Sequence, residues 1–249
     1  MATATSPPER QRPSGIPLVV NNVSEFVGLV ATSPLFIGLS QLQCERVARQ
    51  ARPKVVSRDR TLYMQGQPAH SVALICSGTV KITQLSSGGN EVILWMYGAG
   101  NVIGLFPDPA TMIHACSARA MGQCTVLVWE YRAFHNIMLE HSQIRTNFDQ
   151  VLASRLHDLE ERFHEMATAN VAKRIALTLF RLSKQIGRRV EGGFEISLSR
   201  EELAQMTGTT QFTASRILSK WGEMGLIQPR RQGILIRSDR MLEVAERQF

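Results

Sequence analysis

The sequence predicts an α+β chain: an N-terminal antiparallel β-roll of jelly-roll type, one long helix, and a smaller basic domain of helices closed by two short strands. Three observations predict it. Between Pro34 and Tyr131, β-branched runs alternate with glycines, as in small antiparallel barrels and rolls. From Ser142 to Ala167 glycine and proline vanish, and apolar residues return every three or four positions. From Thr168 onward helical patterns dominate and the charge turns strongly positive.

The 249 residues fit two ordinary domains, and 44% hydrophobic with 20% charged residues is enough to build a core. Lys and Arg outnumber Asp and Glu by 28 to 21, a net charge of +7. The excess is not spread evenly. Thr168–Phe249 carries 14 basic and 8 acidic residues, against 14 and 13 in everything before it. A basic last third points to an anionic partner. No apolar run approaches the length of a membrane span, so no membrane association is expected. Residues 1–30 lack the apolar segment of a secretory signal and read as a mobile tail, which implies a cytoplasmic protein. Cys44, Cys76, Cys116 and Cys124 show no paired spacing for zinc and are expected as reduced, buried thiols.

The sensor-like part is expected over 31–141. Leu39–Ala51 predicts a short helix, with Ser40 as its cap and Pro53 just beyond its end. Strands are predicted at Leu74–Thr83, at Asn90–Tyr97 and at Cys124–Glu130. The turn Ser87-Gly88-Gly89-Asn90 joins the first two. Gly66, Gly78, Gly98, Gly100 and Gly104 punctuate the region where tight turns need backbone freedom. Over 142–167 a single helix carries Leu152, Leu156, Leu159, Phe163 and Met166 at spacings of 4, 3, 4 and 3. Such a narrow seam suits one partner helix, most simply its own copy across a two-fold axis. The alternative is that the seam packs on the roll of its own chain.

The domain at 168–249 opens with a helix at Ala172–Ile186, ended by Gly187. Ser199 and Glu202 make a capping box for a second helix reaching about Met206. Thr207-Gly208-Thr209 supplies a turn, and Thr210 caps a third helix from Gln211 to about Glu223. Ile217, Leu218 and Trp221 form its inward face, while Gln211, Phe212, Ser215, Arg216, Ser219 and Lys220 lie opposite. Two strands flank Gln232-Gly233. A helix-turn-helix on a strongly basic domain points to reading duplex DNA.

With these segments in this order, the sequence resembles the Crp/Fnr family of bacterial transcription factors. Gly66–Gly104 resembles the cyclic-nucleotide-binding β-roll, and Leu198–Ile227 resembles the family's winged helix-turn-helix. The resemblance runs from about Leu35 to Ile236. It implies a homodimeric, sequence-specific DNA-binding regulator, not an enzyme, with a palindromic operator and RNA polymerase as partners. It implies DNA contacts at Arg200, Thr209, Thr210, Gln211, Phe212, Ser215, Arg216 and Lys220. It also implies an effector pocket at Val80, Ile82, Gly104, Leu105, Phe106, His114, Ala115 and Cys116, with the dimer interface on the seam just given.

Two departures from the family pattern carry information. Members that bind cyclic AMP hold it with a Gly-Glu pair and a downstream Arg-Ser pair. Here those positions read Gly104-Leu105 and His114-Ala115, about one residue closer together. The acceptor for a ribose hydroxyl and the forked cation for the phosphate are both missing. An effector or signal other than cyclic AMP held in that way is therefore expected. In the recognition helix the family often carries Glu-x-x-Ser-Arg, where this chain has Phe212-Thr213-Ala214-Ser215-Arg216. Arg216 keeps the fork for guanine, whereas Phe212 can pack on a thymine methyl or be buried against the preceding helix.

Other readings are weaker. No cofactor and no metal are assigned. A haem- or thiol-based gas or redox sensor would have to use His70, His114, Cys76 or the four scattered cysteines, and nothing in their spacing requires it. His157, Glu161 and His164 share a helix face, which a solvated charged flank explains. A cupin-like enzyme would need clustered strand histidines, and only His70 and His114 lie in the strand region. No nucleophile elbow, Walker loop or metalloprotease motif is present, so no catalytic residue is expected.

Overall fold

The computed structural model describes residues 23–105, 111–230 and 233–237. Two helices lead into the roll, α1 (Val23–Thr32) and α2 (Gln41–Arg49). Ser40 caps α2 in a complete capping box with Gln43, as its sequence position suggests. The expected mobile tail over 1–30 needs correction from residue 23 on. Phe26 and Val30 of α1 are buried in the same core as Phe36 and Trp129, so apolar burial holds that helix in place. Residues 1–22 lie outside the described part.

The roll contains β1 (Arg52–Val56), β2 (Thr61–Tyr63), β3 (Ser71–Ser77), β4 (Val80–Leu85), β5 (Glu91–Tyr97), β6 (Val102–Ile103), β7 (Ser117–Ala120) and β8 (Cys124–Glu130). They form two four-stranded antiparallel sheets, ordered β1-β8-β3-β6 and β2-β7-β4-β5. The run Leu74–Thr83, expected as one strand, is two strands in different sheets. Gly78 makes the break at φ 85°. A Cβ there would stand 2.6 Å from both Cys124 Sγ and Gln123 O, so only glycine lets the chain switch sheets at that point.

Strand alternation distributes the core. On β3, Ala73 and Ile75 face the interior between the sheets, with Val80, Ile82, Ala118, Ala120 and Val126. Val72, Leu74 and Cys76 point the other way, onto the helices, where the Trp129 indole donates to Val47 O at 2.9 Å. After β8 come α3 (Tyr131–Glu140) and the long α4 (Ser142–Thr168).

The C-terminal part holds α5 (Val171–Gln185), β9 (Arg188–Val190), β10 (Gly193–Ile196), α6 (Arg200–Thr207), α7 (Gln211–Glu223), β11 (Ile227–Arg230) and β12 (Gly233–Ile236). The β9–β10 hairpin was not expected from sequence; its only signal is Gly192-Gly193, both at positive φ. The resulting sheet, β11-β12-β10-β9, closes the domain. This domain is also less separate than its composition suggests. Ile93 and Met96 on the outer face of β5 belong to one apolar cluster with Ile175, Leu179, Leu203 and Trp221. No helix among the described residues is long and apolar enough to cross a membrane.

Candidate nucleic-acid interface and ligand cavity

The helix-turn-helix forms through three local devices, each legible in the sequence. Ser199 Oγ accepts from the Glu202 N–H at 3.1 Å, while Glu202 Oε2 accepts from the Ser199 N–H at 3.0 Å. Gly208 then takes the left-handed conformation, φ 59° and ψ 46°, which ends α6. Thr210 Oγ1 accepts from the Thr213 N–H and starts α7. Ala214, Leu218 and Trp221 bury one face of α7, with Ile217 partly covered beside them.

The opposite face is open. Gln211, Phe212, Arg216, Ser219 and Lys220 are exposed, with Ser215 half-buried among them. Phe212 is 76% exposed, so the alternative of a core residue packed under the preceding helix does not hold. Thr209 and Arg200 are half-buried, Thr209 in the turn and Arg200 at the start of α6. The α7 face therefore offers one guanidinium, one ammonium, an amide, hydroxyls and an apolar ring, a set able to meet base edges and phosphates.

The long helix has its faces inverted relative to an ordinary surface helix. Leu152, Leu156, Leu159, Phe163 and Met166 are all exposed, Phe163 at 77%. The seam does not pack on the roll of its own chain. Charged residues face inward instead, and Arg155, Asp158, Arg162 and Glu165 are all half-buried. Arg155 donates to Val102 O at 2.9 Å, and its guanidinium lies 4.9 Å from the centre of the Tyr97 ring. Arg162 donates to Leu94 O and lies over Trp95. Glu165 pairs with Arg181 of α5. Sequence reading missed this charged face, although it repeats at 3, 4 and 3, one step away from the seam.

The expected effector residues scatter. Val80 and Ile82 are buried in the roll core, where their own neighbours fill the space. Gly104, at φ 79°, lies so close to Ser71 that a Cβ would stand 2.7 Å from its carbonyl oxygen, a packing role. His114 is buried and stacked on Tyr63 with ring centres 3.8 Å apart. Burial, reinforced by the charge of nearby His70, holds the His114 imidazole below its ordinary range. Ala115 is exposed, Cys116 half-buried, and Phe106 lies outside the described residues. Of the described members of this set, only Leu105 borders the cavity described next.

That cavity, about 340 Å³, opens between the α1–α2 connection, the β5–β6 region and α4. Its lining includes Ser33, Leu35, Ile37, Tyr97, Leu105 and Arg155. Ser33 Oγ and the Tyr97 hydroxyl are buried and find no hydrogen-bond partner in the protein. Burial pushes the Tyr97 phenol up to about 12, so it stays protonated and available as a donor.

Cys44, Cys76 and Cys124 are buried and Cys116 half-buried, none of them bonded to another. Burial raises all four thiols, Cys76 to about 11. Among the described residues no three His, Cys, Asp or Glu side chains converge on a common point. His157 and Glu161 meet at 3.4 Å as an exposed pair one helical turn apart.

Two family models match the chain. The cyclic nucleotide-binding domain matches residues 53–141, and the Crp-like helix-turn-helix domain matches residues 173–244. The CRP-like cAMP-activated global transcriptional regulator of Mycobacterium tuberculosis is 24% identical over 220 residues, covering 86% of this chain and 96% of that protein. The cAMP-activated global transcriptional regulator CRP of Salmonella typhimurium is 28% identical over 184 residues, covering 72% and 87%. Among solved structures, FixK2 from Bradyrhizobium japonicum superposes with a TM-score of 0.70 at 22% identity, covering 78% of this chain and 96% of that one. The c-di-GMP responsive regulator CLP of Xanthomonas campestris gives 0.68 at 23%, covering 80% and 100%.

Proposed function

Since the chain belongs to the Crp/Fnr family of transcription regulators, we propose that it acts in the cytoplasm as a homodimer that reads a two-fold symmetric DNA site through α7. The observation that carries this reading is the open face of α7, with Phe212, Arg216 and Lys220 exposed behind a tight Gly208 turn. Dimerisation rests on α4, whose apolar stripe faces outward while its charges face its own roll. An outward stripe of this length is stable in water chiefly when a second copy covers it. The proposed DNA contacts are Arg200, Thr209, Thr210, Gln211, Phe212, Ser215, Arg216 and Lys220. RNA polymerase is the proposed protein partner, because a regulator of this type acts at promoters.

Its control differs from that of relatives described as cAMP-activated. Leu105 supplies no acceptor, and the buried, neutral-leaning His114 supplies no permanent cation for a phosphate. The test is selection from random duplexes at two salt concentrations with the full chain. Enrichment of a symmetric site with half-sites centred about 10 bp apart is the expected result. Cyclic AMP is expected to leave the melting temperature unchanged. No enriched sequence would overturn the DNA reading, and a saturable rise in melting temperature with cyclic AMP would overturn the second part.

A further inference from the structure

We propose that Arg174 of α5 sets the half-site spacing this chain accepts, as a positioning residue that locks the end of the long helix α4 to the turn of the helix-turn-helix. This role rests on the reading of the chain as a dimeric DNA-binding regulator, and it names what makes such a dimer select one spacing. Arg174 lies outside α7 and outside the DNA contacts given above.

The guanidinium stands where two helices end. Its Nη1 donates at 2.8 Å to the carbonyl oxygen of Ala169, the C-cap of α4. Its Nε donates at 3.0 Å to the carbonyl of Thr207, the last residue of α6, and Nη2 donates at 3.5 Å to that of Gly208 in the turn before α7. All three nitrogens are thus engaged with main-chain carbonyls. Carbonyls at a helix C-terminus lack a partner within the helix and carry the negative end of its dipole. One cation therefore satisfies the ends of two helices at once. The planar fork matters here. A lysine ammonium puts all its donors on one atom, so it would keep the charge but not the fixed directions.

The place of this contact makes it mechanical. α4 and α5 are joined through Ala169 and Asn170 alone. Beyond that joint, α5 and α6 share one apolar core through Ile175, Leu179 and Leu203, so Arg174 moves with the DNA-reading helices. Its bonds to Thr207 and Gly208 hold the guanidinium still, and its bond to Ala169 then crosses the joint. Two other contacts cross there. Glu165 pairs with Arg181 further along α5, and Met166 lies against Gly208, where a Cβ would stand 2.6 Å from the Met166 Cε. Met166 is a flexible, adaptable side chain, and the Glu165–Arg181 pair joins the tips of two long ones. Neither fixes an angle as bonds to three main-chain groups do.

The length of α7 converts this angle into base pairs. Its 13 residues make it about 20 Å long. A tilt of about 10° at the joint with α4 carries the far end of α7, by its own length alone, through about 3.5 Å, close to the rise of one base pair. In a two-fold dimer the error enters twice, once per protomer. A chain with this angle fixed prefers one spacing, and a chain free to tilt accepts the neighbouring ones.

The test uses duplexes with two copies of the selected half-site, centred about 9, 10, 11 or 12 bp apart, and one duplex with a single half-site. Affinities are measured for the full chain, for Arg174→Lys and for Arg174→Gln. The parent is expected to bind its best spacing at least about 10-fold more tightly than the neighbouring ones, since a one-step misfit breaks charge-assisted contacts in one half-site. Both variants are expected to bring that preference below about 5-fold, because neither supplies the three-way fork. Their base preferences in the single half-site should match the parent's, and their melting temperatures should fall by less than about 8 °C. Discrimination kept above about 5-fold in either variant would overturn the role of the fork. Weakening by one common factor at every spacing, or a melting temperature lowered by more than about 8 °C in both variants, would make Arg174 an ordinary stabilising residue and overturn it too. A chain that selects no symmetric site loses the regulator reading and this role with it. One that selects a site, and keeps its spacing preference without Arg174, loses only this role.

Discussion

Lys81 of β4 donates to Glu202 of α6 at 3.0 Å, joining the roll to the first helix of the helix-turn-helix. The side chains are only 12% and 18% exposed, so this is not a loose surface contact. Glu202 serves two ends at once, because its other oxygen closes the capping box on Ser199. Burial pushes its carboxyl up, but the bonds from the Ser199 N–H and from Lys81 outweigh that and hold it below the usual range. Together with Ile93 and Met96 against α5 and α6, the pair ties the helix-turn-helix to the roll.

Lys81→Met should therefore destabilise the chain by about 1–3 kcal/mol, below the cost of breaking a fully buried pair. The exchanged pair Lys81→Glu with Glu202→Lys should recover part of the loss from either single change, though not the capping box. Chemical denaturation of the four proteins gives the coupling energy. Strict additivity of the two single changes would show that the contact contributes nothing.

The outward stripe on α4 predicts the consequence of placing a charge in it. Leu159→Lys should convert a dimer to a monomer, since two symmetry-related ammonium groups would face each other in an apolar seam. Leu159 is 43% exposed in the single chain, so the monomer itself should fold and melt close to the parent. Sedimentation and an operator gel shift report the two effects. A dimeric Leu159→Lys chain with intact operator binding would remove α4 from the interface.

Exposure of Phe212 separates base reading from folding on α7. Phe212→Glu should shift a preferred thymine towards cytosine at one position in each half-site while leaving the melting temperature unchanged. Arg216→Ala should cost about 1–3 kcal/mol on the selected site and relax one base position. Lys220→Ala should weaken all duplexes alike and reduce the salt slope by about one unit. A selected-site profile for each variant is the measurement, and an unchanged profile for Phe212→Glu would deny that residue a reading role.

Acid should loosen the roll at His114. Its folded-state pKa is depressed by burial and by His70, so the unfolded chain binds the proton more readily. The stability this group contributes is complete above an ordinary histidine pKa of about 6.5 and is lost as pH falls below it towards the depressed value. His114→Gln should therefore lose less stability than the parent between neutral and mildly acid pH. Parallel pH dependences for the two proteins would contradict the assignment.

Much of the DNA-reading part is legible in the order of residues alone. Ser199, Gly208 and Thr210 act on backbone groups within four residues of themselves, so their chemistry fixes the helix ends wherever the domain sits. The exposed face of α7 follows from helical period alone, and so does the apolar stripe of α4. Local rules stop at Gly78, where the break between β3 and β4 depends on Cys124, a residue distant in sequence. They stop also at α1, whose order comes from the apolar contacts of Phe26 and Val30.

The sequence by itself determined the helix-turn-helix, the run of roll strands in outline, the basic domain and the apolar seam, since these depend on residue identity and short spacing. Only the tertiary structure decided which cavity is open. Val80, Ile82 and His114 look like pocket residues along the chain, yet Val80 and Ile82 are packed into the roll core and His114 is stacked on Tyr63. Ser33, Tyr97 and Arg155, separated by 58 or more positions, border one cavity because α4 crosses the roll with its charged face inward. Side-chain volume and long-range packing settle such a site, and neither is written in the local order of residues.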